Sequence, residues 1–273
     1  MLLGSLLASY QPNEYSLISC FFHHRNLRFR AYGDEQWTDC KALTAHGGLP
    51  ISNFWTSDTE NCTEIESDAL YLFIIGTKYV CMRNTNICYL QLVLLTLCYL
   101  NFLEKEGIFR RMCDDGFTQA FRCIIVTGCG YPDIATRALV HRLKYRLPHL
   151  KVLGLCDFNP YGLALLLTYK FGSKNMSLEG DGLSIPSLKV LGLRSAQLQT
   201  LQLDPSCFEP LSSHDQSKIE SLLGRGDLPE SYINEIEAMR AINKKCELEV
   251  MYTKGIGFIT EFYTSAILRG DYF

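Results

Sequence analysis

An α/β fold is what the sequence predicts: a mostly parallel central sheet flanked by helices, with helical elaboration towards the C-terminus. Three observations carry this. Ile124 to Gly162 reads as strand, glycine loop, amphipathic helix, strand and acidic turn, which makes one βαβ unit. Ala69 to Ile74 is a further short apolar run, of the kind buried on both faces of a parallel sheet. With 47% apolar and 20% charged residues over 273, the chain has the composition of an ordinary globular protein, long enough for one large domain or two small ones.

Within the βαβ unit, Ile124, Ile125 and Val126 form a β-branched run that stops at Thr127-Gly128-Cys129-Gly130, where glycines open backbone conformations closed to other residues. Pro132 and Asp133 mark a helix start with Asp133 as N-cap, and Ile134, Ala138, Leu139 and Leu143 fall on one face. Pro148 ends that helix. Val152 to Leu155 make the second buried strand. Asp157 follows it at a carboxyl end, where open α/β sheets place their ligands. Asn159-Pro160 also has a plain structural reading, as an N-cap followed by proline at the first helical position.

Charge and cysteine usage narrow the function classes. A net charge of −3 gives no global attraction to nucleic acid, so DNA affinity has to come from a local patch. One candidate patch runs from Arg137 through Arg142, Lys144 and Arg146 to Lys151 without an acidic residue. By itself it reads first as a solvated helix face. The twelve cysteines are scattered, with neither Cys-x-x-Cys nor paired Cys/His spacing, and they read as free thiols in a reducing compartment. The apolar start MLLGSLLASY lacks a basic region ahead of it and is not read as a cleavable signal peptide.

The stretches Thr127-Gly-Cys-Gly-Tyr-Pro-Asp133, Thr136-Arg137 and Asp157-Phe-Asn-Pro-Tyr-Gly162 resemble the Toprim domain of the topoisomerase VI A-type subunit and of its eukaryotic relative, the meiotic double-strand-break protein. Tyr169-Lys-Phe-Gly-Ser173, Met176-Ser177, Ile185-Pro186, Leu191-Gly-Leu193 and Glu247-Leu-Glu249 extend the resemblance, and they look more like the meiotic branch. It runs from about Leu27 to Phe273. It implies a Rossmann-like Toprim domain over 69–273, a family linker region over 27–68 and a poorly patterned N-terminus over 1–26.

The resemblance also implies a site. Glu104, Asp157 and Asn159 are the expected Mg²⁺ ligands, and Gly128, Gly130, Arg137, Arg142 and Lys144 the expected DNA contacts. Carboxylates gathered closely repel one another unless a cation sits between them, and Mg²⁺ suits a few carboxylates plus water. Double-stranded DNA, a second copy of the chain and a protein like the topoisomerase VI B-type subunit are the implied partners, in the nucleus, with no membrane expected. The implied reaction is attack of a tyrosine hydroxyl on a DNA phosphodiester.

Four departures from the family pattern bear on that expectation. Asn159 stands where the family usually has Asp, and Cys129 where it has lysine. Tyr10 and Tyr15 lack the Arg-rich, Tyr-Tyr context of the family nucleophile, so the expectation is that this chain supplies the metal half of a site without the tyrosine. An unusual apolar insert, residues 75–102, separates the strand ending near Ile74 from Glu104. Its apolar half, Cys88 to Leu103, falls short of the ~20 residues a membrane span needs. A membrane segment, a buried Leu-rich element and translated sequence foreign to the working protein compete for it, the last ranked first. Two other functional readings stand beside the leading one: a non-catalytic DNA-binding or dimerisation module on a Toprim scaffold, and a Toprim nuclease that uses water.

Overall fold

A computed structural model describes residues 21–24, 27–30, 35–40, 49–50, 64–76, 107–115, 117, 121–128, 130–172, 181–255 and 257–273. In chain order these hold β1 (Phe21–His24), β2 (Arg28–Arg30), β3 (Thr38–Asp39), β4 (Leu49–Pro50), β5 (Glu64–Glu66) and β6 (Tyr71–Gly76). Then come α1 (Gly107–Asp114), β7 (Cys123–Thr127), α2 (Ile134–Arg146), β8 (Lys151–Cys156), α3 (Pro160–Phe171) and β9 (Lys189–Gly192). The C-terminal part adds α4 (Ser195–Leu201), β10 (Glu209–Pro210), α5 (Ser213–Leu223), α6 (Glu230–Ile242), β11 (Lys244–Lys245), a 3₁₀ segment (Leu248–Lys254) and α7 (Phe258–Arg269). Tyr10, Tyr15, Glu104, Cys129 and residues 77–102 of the insert lie outside the described residues.

The main sheet has the order β4-β1-β7-β6-β8-β9. β6 pairs in parallel with both β7 and β8, Leu72 lying opposite Ile124 on one side and Val152 on the other. β8 pairs in parallel with β9, and β1 and β4 extend the β7 edge antiparallel. The crossover from β7 through α2 to β8 therefore passes over β6 and does not join neighbouring strands. From β6 the chain turns to β7 on one side, and from β8 to β9 on the other. The connections diverge between β6 and β8, and at such a switch point open sheets form a ligand crevice beyond the strands' carboxyl ends.

The sequence explains why these strands occupy the centre. All five residues of β7 are buried, as are the last five of β6 and of β8, the double-sided burial that parallel strands require. Phe73 of β6 meets Phe117 edge-on, with ring centroids 5.0 Å apart, so the α1 side of the sheet closes on an aromatic layer. Each such fully buried side chain contributes roughly 1.5–3 kcal/mol of hydrophobic stabilisation. α2 starts as its cap predicts: the Asp133 side chain accepts from the Thr136 N–H at 2.7 Å. At its other end Lys144 Nζ donates to the carbonyls of Pro148 (2.6 Å) and Leu150 (2.7 Å), which fastens the helix C-terminus to the start of β8.

Several elements differ from the sequence reading. The N-terminal region, without a readable pattern, contributes β1 to the main sheet; within residues 27–68, β4 joins the same sheet, while β2, β3 and β5 form a second sheet of order β3-β2-β5. Arg28 and Arg30 of β2 pair with Glu66 and Glu64 of β5, and both guanidinium groups lie over the Trp37 ring. The helical pattern read from Tyr232 to Tyr252 is broken: Asn243 takes φ +51°, a left-handed cap that ends α6 and releases the chain into β11. The reading of Ser212-Ser-His-Asp215 as a helix cap holds, as a reciprocal box between Ser212 and Asp215. Among the described residues, no helix is long and apolar enough to cross a membrane.

Candidate functional site

The carboxyl ends of β6 and β8 lie side by side, with Gly76 opposite Cys156, and Asp157 follows directly. Asp157 is 4% exposed, and its Oδ1 accepts the backbone N–H of Leu248 at 3.0 Å. The next residue, Phe158, exchanges two backbone hydrogen bonds with Cys246, at 2.9 and 3.0 Å. The acidic turn is thus held by a strand-like arm from more than eighty residues downstream. Asn159 caps α3, its side-chain oxygen accepting from the Gly162 N–H at 2.7 Å. Gly162 permits a close approach: a Cβ there would sit 2.8 Å from the Asp157 carbonyl oxygen, so only glycine lets α3 begin against the turn.

The surroundings of the turn are dry. Burial lifts the Cys156 thiol well above its ordinary value, and the neighbouring carboxylates of Asp157 and Glu235 add to this. Burial likewise lifts Cys246 to about 12, reinforced by Cys207 and then by Asp157, Glu247 and Glu249. Both thiols stay protonated and act as small apolar groups beside the turn.

The glycine loop stands at the carboxyl end of β7. Gly130 has φ +127°, outside the range of ordinary L-residues. A Cβ on Gly128 would meet Pro132 Cα at 3.1 Å and the Tyr169 hydroxyl at 3.3 Å, so the loop folds tightly over Tyr169. Arg137 is buried at 1% exposure, and the cost of burying its charge lowers its pKa while Tyr169 opposes the shift. It lies under the first turn of α2 and not on its outer face.

The expected site residues therefore divide. Asp157 and Asn159 share one turn, and Gly128 and Gly130 share the loop across the crevice. Lys144 does not join them. Its ammonium is bound to Leu150 at the amino end of β8, whereas Asp157 follows the carboxyl end, about 20 Å away at ~3.3 Å per strand residue. Arg142 lies in the second half of the same helix, half-buried. The main-chain donors of Leu248 and Cys246 escaped sequence reasoning as parts of the site. Their signal was the Glu247-Leu-Glu249 stretch, which belongs to the resemblance without a visible role of its own.

Asp157 offers a hard carboxylate and Asn159 an amide oxygen, donors of the type Mg²⁺ selects. Among the described residues no group of three or more His, Cys, Asp or Glu side chains is arranged to hold a metal. The second carboxylate expected here, Glu104, is outside those residues.

Comparison with known proteins agrees with this geometry. The model of the TOP6A/Spo11 Toprim family, the Toprim domain of the topoisomerase 6 A-type subunit and Spo11, matches residues 99–268. The chain is similar to meiotic recombination protein SPO11-2 of Oryza sativa subsp. indica, 36% identical over 174 residues, 64% of this chain and 44% of that protein. It is similar to meiotic recombination protein SPO11 of Mus musculus, 34% identical over 215 residues, 75% of this chain and 54% of that protein. With the A3 subunit of DNA topoisomerase 6 of Oryza sativa subsp. indica it shares 36% identity over 167 residues, 60% of this chain and 38% of that protein. The chain spans about half the length of the curated relatives it matches.

Proposed function

The chain belongs to the TOP6A/Spo11 Toprim family, and from that premise we propose that it supplies the metal-bearing, DNA-facing part of an assembly that makes double-strand breaks in meiotic chromosomes. The observation that carries this reading is the position of Asp157: a buried carboxylate at the switch point of the sheet, held in one orientation by Leu248. A cation opposite a carboxylate so placed offsets the cost of burying its charge.

In this reading Asp157 and Glu104 would hold Mg²⁺, with the Asn159 amide oxygen as a neutral third donor. A bound ion would supply neutralisation of the charge that develops on the DNA phosphate as the strand is cut. The glycine loop of Gly128 and Gly130 brings backbone N–H groups close to the sugar-phosphate strand, and the helix N-terminus behind it favours negative charge. Arg137 supports that loop from below, and Arg142 and Lys144 add positive potential along the helix.

The attacking tyrosine comes from outside the Toprim residues. Tyr232 and Tyr263 are buried, burial raises the pKa of both phenols, and a phenol kept protonated in an apolar site is a poor nucleophile. Tyr10 and Tyr15 are not assigned the role. Each copy of the chain serves the cutting of one strand, so the working unit is a homodimer with a partner like the topoisomerase VI B-type subunit, in the nucleus.

One observation favours a second reading. The Asn159 oxygen already serves the α3 cap, which fits a non-catalytic DNA-binding module that keeps the scaffold. A metal-dependent nicking assay on the chain together with such a B-type partner and a protein segment that carries the family tyrosine separates the readings. Protein covalently attached to DNA supports the transesterase, free ends support a nuclease, and retention of DNA without cleavage supports the module. Full cleavage by Asp157→Ala defeats the metal-site assignment.

A further inference from the structure

The arm that holds Asp157 has its own fastening. Its strand segment, Lys244–Lys245, ends three residues before the Leu248 donor and pairs with only two residues of β10, Glu209 opposite Lys245 and Pro210 opposite Lys244. So short a ribbon is marginal by backbone pairing alone. Lys245 Nζ lies 3.1 Å from Asp215 Oδ2 and 3.6 Å from Glu209. Asp215 is buried, and the same Oδ2 accepts from the Ser212 N–H (2.9 Å) and hydroxyl (2.6 Å), so it cannot move with the arm. Glu209 is largely exposed and contributes little holding force.

Resting on the metal reading above, we propose that Asp215 and Lys245 are positioning residues for Asp157. Their ion pair fixes the register of the arm and, through the N–H of Leu248, the direction of the carboxylate, without touching metal or DNA. Register is the sensitive quantity. Successive N–H groups of an extended chain point to opposite sides, so a slip of one residue would turn the Leu248 donor away from Asp157. Hydrogen-bond partners behind a metal ligand matter in the same way, and their loss commonly weakens metal binding by about 10–100-fold.

The test uses the full chain, with Lys245→Met and Asp215→Asn as variants, Lys245→Arg as the conservative rescue and Glu209→Gln as the control. Amide hydrogen exchange at Cys246 and Leu248 is read first. Mg²⁺ affinity is then measured by titration calorimetry. Lys245→Met and Asp215→Asn speed exchange at both amides while Phe73 in the central strand stays protected, and they weaken Mg²⁺ by about tenfold or more. Lys245→Arg restores both readouts, Glu209→Gln changes neither, and Lys245→Met has no further effect on Mg²⁺ in an Asp157→Asn background. Unchanged exchange at Cys246 and Leu248 overturns the proposal, as does faster exchange with Mg²⁺ affinity intact. A wild-type chain that takes up no Mg²⁺ instead overturns the metal reading itself, and the exchange arm then decides whether the pair positions Asp157.

Discussion

Leu248 donates its backbone N–H to Asp157 Oδ1 at 3.0 Å, joining two positions 91 residues apart in the chain. The bond makes two substitutions at Asp157 differ. Asp157→Asn keeps an acceptor for Leu248 and removes the charge, so Mg²⁺ uptake falls while thermal stability is retained. Asp157→Ala also strands the Leu248 donor, at a cost of about 1–3 kcal/mol. Thermal melts alongside Mg²⁺ titration check this; equal melting of the two variants would remove the hydrogen bond from the account.

Gly162→Ala sets a methyl group against the backbone of Asp157, with contacts of 2.8 Å to its oxygen and 3.2 Å to its nitrogen. Backbone cannot yield as a side chain does, so the substitution destabilises by about 1–3 kcal/mol. It also disturbs the acidic turn. Denaturant unfolding gives the first effect, and faster amide exchange at Asn159, whose N–H bonds to Asp157, reports the second.

Asp133→Ala removes the cap of α2, and unfolding free energy drops by about 1 kcal/mol. Asp133→Ser retains a capping oxygen and loses only a few tenths of that. Chemical denaturation of the two variants in parallel shows whether the cap, and not the charge, is what counts.

The ion pair behind the arm predicts a pH dependence. Burial pushes the Asp215 carboxyl up, but hydrogen bonds from Ser212 and the charge of Lys245 outweigh it and hold the group below its usual value of 3.8. Burial lowers Lys245, and its bonds and charge contacts with Asp215 and Glu209 lift it above 10.5. A depressed carboxylate pKa contributes stability that is complete above the unfolded value and lost as pH falls through the folded one. A raised lysine contributes below its unfolded value and loses the contribution as pH rises through the folded one. The melting-temperature gap between wild type and Asp215→Asn is therefore widest near neutral pH. It narrows in acid below 3.8 and again in alkali above 10.5.

The parts of this molecule that the sequence makes legible are those encoded locally. The Asp133 cap, the stop at Pro148, the buried runs of β6, β7 and β8, and the place of Asp157 after a strand all depend on residues within a few positions of one another. What was not legible depends on distant partners. No local pattern shows that β6 lies between β7 and β8, that Phe21–His24 joins the sheet, or that the amide of Leu248 reaches Asp157. The burial of Arg137 was hidden for a similar reason: a cation at helical spacing reads as surface until the loop above it is seen to close on Tyr169.

The placing of β6 between two later strands has a consequence for biosynthesis. It is the earliest of the four parallel strands, and both of its neighbours emerge from the ribosome after it. Until Thr127 and then Cys156 have been synthesised, the run Leu-Phe-Ile-Ile of residues 72–75 carries two open hydrogen-bonding edges and apolar faces. Parallel pairing across such separations is slow, and an unpaired apolar strand is a template for association. A nascent chain stalled between β6 and β8 is thus the form of this protein most in need of a chaperone.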